Sequence, residues 1–336
     1  MIKKMARIQG TLFGRAIQTK VDHELAKTIL TNPNDSAVVQ FFSDYSNYEL
    51  NTETLAKITR EYSIDVATLF FIKRVYEQDK NRRAQDYYLS GVHDLTEEDI
   101  KQQIALLKRY YIVFVPGFQY ECANNGGDFL AQRTFLDSTE ISYEMIMLDE
   151  VGLVESNAKM IADRLQELCT IYSDIVVISV SKGGLETAIA LDKISEIQNI
   201  SSIKFWINVC GTLKGTPLAD FWLQPLRRIW MSCILFFSGQ KVNLKRLLND
   251  MSYESCKERY KSITVPPEII PINLIGVPLG RDKRSKMAVP NDTFSPSPDS
   301  IAGDGAVIVE IDSDHYFEGV DMNKRMMVVL KYISEL

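Results

Sequence analysis

From Tyr110 onward the chain alternates between short, almost unbroken apolar runs and longer amphipathic stretches. No other feature restricts the fold as much. The runs are YYIVFVPGF (110–118), YEMIMLD (143–149), DIVVISVS (174–181), KFWINVC (204–210), PINLIGV (271–277) and GAVIVEI (305–311). A strand with one wet face alternates apolar and polar residues; these runs do not, so burial on both faces is expected. Between them, SNAKMIADRLQELCTIY (156–172) and KGGLETAIALDKISEI (182–197) space their apolar residues as helices do, and so does the closing NKRMMVVLKYISEL. Strand and helix in turn imply an α/β fold: a mostly parallel central sheet flanked by helices.

Two regions stand outside this rhythm. Residues 1–108 read as mostly helical, through HELAKTIL, SAVVQFFSDY, TETLAKITREY and DVATLFFIKRVYEQ. One helix start is expected behind the turn Asn32–Ser36 and another at Asn51-Thr52, with Glu53 in its first turn. No chemistry is visible there. The second region, residues 211–270, separates the fourth and fifth strands and is rich in Trp, Leu, Phe and Arg. The expected organisation is a helical N-terminal region, 1–108, and an α/β domain, 109–336, with 211–270 inserted as a helical cap.

Composition narrows the function classes. With 46% hydrophobic and 24% charged residues, the chain reads as an ordinary soluble globular protein. A net charge of −6 argues against a broad basic footprint for nucleic acid. The five cysteines, Cys122, Cys169, Cys210, Cys233 and Cys256, include no C-x-x-C pair, so a metal site of that kind has no support. Their odd number leaves a thiol unpaired within the chain, which favours a reducing compartment. Two early lysines are followed by no apolar run of signal-peptide length. Nowhere does the sequence reach the ~18 apolar residues of a membrane span. A cytoplasmic protein is therefore expected. The nearest approach to a span, Ile229–Phe237 (IWMSCILFF), is too short to cross a bilayer and suits a lipid surface or a core.

The chemistry concentrates where the third strand meets its helix, at Ser179-Val180-Ser181-Lys182-Gly183-Gly184. A nucleophile on a strained strand-to-helix turn crowds the residues two before and two after it, so both must be small. Ser179 and Gly183 are small, and Gly184 lets the helix approach the sheet. Such a serine needs two amide donors for the oxyanion. One is the N–H of the next residue, Lys182; the other comes from the loop after the first strand, where Val115-Pro116-Gly117-Phe118 offers the N–H of Phe118. The chain has three histidines, His23, His93 and His315. Only His315 follows Ser181, in a loop four residues past the sixth strand.

Together, Val-Pro-Gly-Phe (115–118), Ser-Val-Ser-Lys-Gly-Gly (179–184), Cys-Gly-Thr-Leu-Lys-Gly-Thr-Pro-Leu-Ala-Asp (210–220) and Ser-Asp-His-Tyr-Phe (313–317) resemble the α/β-hydrolase superfamily, on its lipase and esterase side. The third segment is similar to the Gly-Thr-Pro-His-x-Gly-Ser stretch of many lipases, without its histidine. The resemblance covers residues 108–336. Ser179 departs from the usual glycine, and the early antiparallel strands of the full fold are not evident.

The resemblance implies the triad order Ser, acid, His. The acid should follow the fifth strand, which leaves Asp282, Asp292, Asp299 and Asp304. Asp292 is favoured because its 23-residue lead over His315 accommodates a connector and the last strand. Asp304 abuts that strand, and Asp314 adjoins His315 too closely for a triad bond. The resemblance also implies a reaction: hydrolysis of a small-molecule ester or lipid through an acyl-enzyme, with no cofactor. In the cap, Phe221-Trp222-Leu223 and Ile229–Phe237 suit an acyl chain. Two other functions fit the same residues: an acyltransferase or thioesterase using the same triad, and a non-catalytic hydrolase-fold protein that binds lipid or a partner.

Overall fold

The computed structural model describes residues 6–121, 126–227, 229, 243–280 and 287–336. All six expected strands form: β3 (Tyr111–Val115), β4 (Tyr143–Met145), β5 (Ile175–Val180), β6 (Ile203–Val209), β7 (Ile270–Val277) and β8 (Ala306–Ile311). They pair in the order β4-β3-β5-β6-β7-β8, every pair parallel. The chain lays β4 on one side of β3, then crosses back to β5 and proceeds outward. The order therefore reverses between β3 and β5, the point at which open parallel sheets place their ligands.

The unbroken apolar runs are explained by burial on both faces. Val113, Val115, Ile175 and Val177 pack against α8 (Val154–Leu168) and α9 (Lys182–Lys193). Their neighbours Ile112, Phe114, Val176 and Ile178 face the opposite layer, which holds α7 (Leu130–Asp137) and the C-terminal helix, Met322–Ser334.

Ahead of the sheet, the expected helix starts are present. Asp35 accepts from the Ala37 N–H at the head of α2 (Ser36–Asp44), and Asn51 accepts from the Thr54 N–H at the head of α3 (Thr52–Glu61). The apolar-spacing argument assigned no strand before Tyr110, yet a hairpin lies there: β1 (Ala6–Leu12) antiparallel to β2 (Arg15–Val21). Its two-residue turn, Phe13-Gly14, has φ of 53° and 72°. Positive φ at both positions matches the right-handed twist of the strands it joins.

Residues 6–108 are packed into the sheet. α1 (Glu24–Thr31), α2, α3 and α4 (Ile64–Tyr76) bury Phe41, Phe70 and Phe71 in one cluster with Ile275 and Val277 of β7 and Val307 and Val309 of β8. α5 (Asp79–Asp94) seals the outer edge of β8: Asn81 accepts from Val307 N–H (2.8 Å) and Gln85 accepts from Val309 N–H (2.8 Å) and donates to Val309 C=O (3.1 Å). Edge amides that would otherwise invite another strand are thus satisfied within the chain. α6 (Glu97–Leu107) leads into β3, its first turn closed by a Thr96/Asp99 capping box.

Between β6 and β7 lie α10 (Pro217–Leu223), α11 (Leu244–Asp250) and α12 (Tyr253–Tyr260), whose Cys256 packs on α8 and α9; the C-terminal helix is α13. Among the described residues, no helix is long and apolar enough to cross a membrane.

Candidate active site

Ser181 links β5 to α9 with φ 55° and ψ −126°, a region that L-residues rarely occupy. Such a conformation costs on the order of 1–3 kcal/mol and persists only where the surroundings over-determine it. Here its N–H donates to Val209 C=O (3.1 Å), and its C=O accepts from the N–H groups of Gly184 and Thr212 (3.0 Å each). A Cβ on Gly183 would stand 2.4 Å from the Pro116 carbonyl oxygen, so only glycine lets α9 come this close to the end of β3. Ser179 has a use that glycine would not: its Oγ accepts from the indole N–H of fully buried Trp206 (2.8 Å).

The loops after β7 and β8 bring two more side chains to this turn. His315 Nε2 lies 2.8 Å from Ser181 Oγ, and His315 Nδ1 lies 2.6 Å from Asp292 Oδ2. Asp292 is completely buried. Its Oδ1 accepts from the N–H groups of Phe294 (2.9 Å) and Ser295 (2.8 Å), and its carbonyl accepts from the His315 N–H (2.7 Å). Phe294 stacks on the imidazole with centroids 4.5 Å apart.

Of the other acids, Asp299 points elsewhere, accepting from Thr52 Oγ1 (2.6 Å), Tyr253 OH (2.7 Å) and Lys214 Nζ (2.7 Å). It thereby joins α3, α12 and Lys214 to the loop before β8. Asp304 is exposed, its carbonyl bonded by Lys80. Asp314 accepts from the Tyr316 N–H (3.1 Å), and Asp282 lies outside the described residues. His23 caps α1 and His93 is exposed beside Asp94, both far in sequence and role from Ser181.

Sequence reasoning missed the residues that hold the acid loop. Asn208 and Asn273, paired across β6 and β7, are fully buried. Asn208 Nδ2 donates to Asn273 Oδ1 (3.0 Å) and Ser300 C=O (2.9 Å), and Asn273 Oδ1 accepts from Ala302 N–H (2.8 Å). The available signal was one amide inside each of two otherwise apolar strands, since most buried polar side chains have at least one hydrogen-bond partner.

Of the two residues expected to supply amide donors, Phe118 lines the same cavity as Ser181, and Lys182 follows the serine in sequence. Phe118 follows Gly117, whose Cβ position would lie 3.3 Å from Ser181 Cβ. Lys182 opens α9, where helix dipoles favour developing negative charge. The Lys182 side chain is buried, donating to Gly152 C=O (2.8 Å) and forming an ion pair with buried Glu186. Burial pushes the Glu186 carboxyl up to about 7, against the opposing pull of Lys182.

Cys210, fully buried at the end of β6, has its Sγ within 4.8 Å of donor atoms of Asp292 and His315. The trio does not fit a metal: both imidazole nitrogens already face Asp292 and Ser181, and burial, with Asp292 adding to it, holds the thiol well above its ordinary value. Cys169 and Cys256 are also buried free thiols, while Cys122 and Cys233 lie outside the described residues.

Ser181 and His315 open into a cavity of about 910 Å³. Ile178, Ile207 and Leu274 wall it from the sheet, Met326 and Val329 from α13, and Trp222 and Leu247 from α10 and α11. Of the apolar stretch Ile229–Phe237, Ile229 is 59% exposed and residues 230–237 lie outside the described residues.

The structure is similar to that of a metagenomic carboxyl esterase, with TM-score 0.52 and 15% identity over 68% of this chain and 76% of that one. It is also similar to a Bacillus licheniformis lipase in its mature form, with TM-score 0.50 and 18% identity over 66% of this chain and 91% of that one. The chain has the α/β-hydrolase fold. No protein-family model matches the sequence, and no match was found among curated proteins.

Proposed function

We propose that this protein is a serine hydrolase of carboxylic esters that works through an acyl-enzyme on Ser181. The observation that carries the reading is the hydrogen-bonded chain Asp292–His315–Ser181 ending on a serine held at positive φ. Ser181 Oγ attacks the ester carbonyl carbon while His315 Nε2 takes the hydroxyl proton. The carbonyl π pair moves to oxygen, and the N–H groups of Phe118 and Lys182 hold the oxyanion. Asp292 orients the imidazole and stabilises its cationic form. Collapse breaks the bond to the alcohol oxygen, which leaves with the proton from His315. Water then attacks the acyl-enzyme by the same route and regenerates Ser181. By name the two fold neighbours are an esterase and a lipase, which agrees with this reading without carrying it.

The acyl group fits an apolar chain, because the cavity beside Ser181 is walled mainly by aliphatic and aromatic side chains. Residues 211–270 serve as its cap, contributing Leu218, Trp222 and Leu247. Labelling with a fluorophosphonate probe tests the nucleophile: wild type should be modified at Ser181, and Ser181→Ala should not. An unlabelled wild type, or a labelled alanine variant, removes the proposal. A nitrophenyl ester series from acetate to palmitate should show kcat/KM rising beyond acetate, at up to about 0.8 kcal/mol per buried methylene. Product analysis with an added alcohol separates hydrolysis from acyl transfer.

A further inference from the structure

The Lys182–Glu186 pair is unusual in its place. Neighbouring charges one helical turn apart are ordinarily a solvated surface pair, yet these side chains are only 2% and 1% exposed. A buried pair is a poor device for stability, since apolar side chains of similar volume often do as well or better. Its position supplies another reason. Lys182 Nζ donates to Gly152 C=O (2.8 Å), in the turn between β4 and α8. Asn157 Nδ2 bonds both Glu186 Oε1 (2.9 Å) and the Asp149 carbonyl (3.0 Å), closing that turn from the other end. The same turn then reaches the second donor loop. Glu150 C=O accepts from the N–H of Gln119, next to Phe118 (3.3 Å), and Leu148 C=O accepts from Tyr120 OH (2.9 Å).

We infer that Lys182, Glu186 and Asn157 are positioning residues: through the turn 148–152 their side chains lock the spacing between the two amide donors, Phe118 N–H and Lys182 N–H. This rests on the serine-hydrolase reading above. Neither side chain is among those that line the cavity beside Ser181. Its effect is on where the oxyanion is met, and a displacement of about 1 Å at such a site costs roughly 100-fold.

The test compares Glu186→Gln, which keeps an acceptor for Lys182 and Asn157, with the apolar exchange Lys182→Met/Glu186→Leu, which removes the tie while filling the space. Each is measured for kcat, KM, thermal unfolding and affinity for an alkylboronic acid, whose adduct on Ser181 is tetrahedral. Positioning predicts a double variant that folds, keeps KM within about twofold, and loses about 10- to 100-fold in kcat and, in parallel, in boronate affinity. Glu186→Gln should retain most of both. A folded double variant with kcat and boronate affinity within twofold of wild type overturns the inference. So does a Glu186→Gln variant that loses about 10-fold or more in kcat or boronate affinity, because the acceptor would then not be what matters; this arm decides if the double variant does not fold. Fluorophosphonate labelling of wild type at Ser181 is established first. Its absence overturns the hydrolase reading and this inference together, whereas labelled wild type with unaffected variants overturns the inference alone.

Discussion

Two buried pairs of ionisable side chains stand beside Ser181, and they differ in what surrounds them. Asp292 and His315 come from two separate loops, and the imidazole opens on the cavity. Lys182 and Glu186 share the first turns of α9 and face protein on every side. In the first pair the imidazole lies between Asp292 and Ser181, and Asp292 accepts two backbone N–H groups. In the second, a single lysine and an amide offset burial incompletely, so the carboxyl is pushed up to about 7. Similar burial thus yields one pair able to exchange charge with a reactant and one able only to hold backbone in place.

The sharpest way to break this contrast is at the acids. Asp292→Asn should lower kcat by about 10⁴ while leaving the fold intact, since the amide fixes the wrong imidazole tautomer. Steady-state rates and circular dichroism check both halves. Asp299→Asn should change kcat far less, because Asp299 binds Thr52, Lys214 and Tyr253 and not His315. It should instead lower the melting temperature, with a cost of about 1–3 kcal/mol for a weakened charged acceptor. Equal kcat losses in the two variants would dissolve the distinction.

The second pair should show itself in the pH dependence of stability as well as in the loss of turnover expected of the double variant. Glu186 has a folded value of about 7 against an ordinary 4.5. Between these values the native state holds a proton that the unfolded state has released. Unfolding free energy therefore falls as pH rises from the lower value through the upper one. Urea titrations across that window should show the decline in wild type and a flatter profile in Glu186→Gln. A rise with pH assigned to this group would contradict its environment.

The smallest effect is expected at Ser179→Gly, which restores the residue common at this position. It leaves the indole N–H of Trp206 without its acceptor. Chemical denaturation should register a loss of about 1–3 kcal/mol, with kcat within a few-fold.

Much of this arrangement was legible in the sequence because its signals are local. Six strands buried on both faces leave continuous apolar runs, and the small residues around Ser181 follow from crowding at one turn. His315 stood out as the only histidine after Ser181, and the spacing of Asp292 from it matched the span of a strand and connector. The illegible parts are those decided by partners distant in sequence. Nothing local marks Lys182 and Glu186 as buried; α8 and the 148–152 turn cover them. Asn208 and Asn273 acquire meaning only when the loop near Ser300 and Ala302 arrives. The hairpin was hidden because Gln9, Gln18 and Lys20 dilute its alternation and Phe13 is not among the usual residues of a two-residue turn.

The covering of β8 by Asn81 and Gln85 has a consequence for the life of the chain. Synthesis delivers residues 6–108 before any of the parallel strands exist, so the guard is made ahead of what it protects. A fragment starting near Arg109 would carry an open, sticky border and a bare oily flank on its last two strands. It should collect into aggregates where the whole chain stays dispersed.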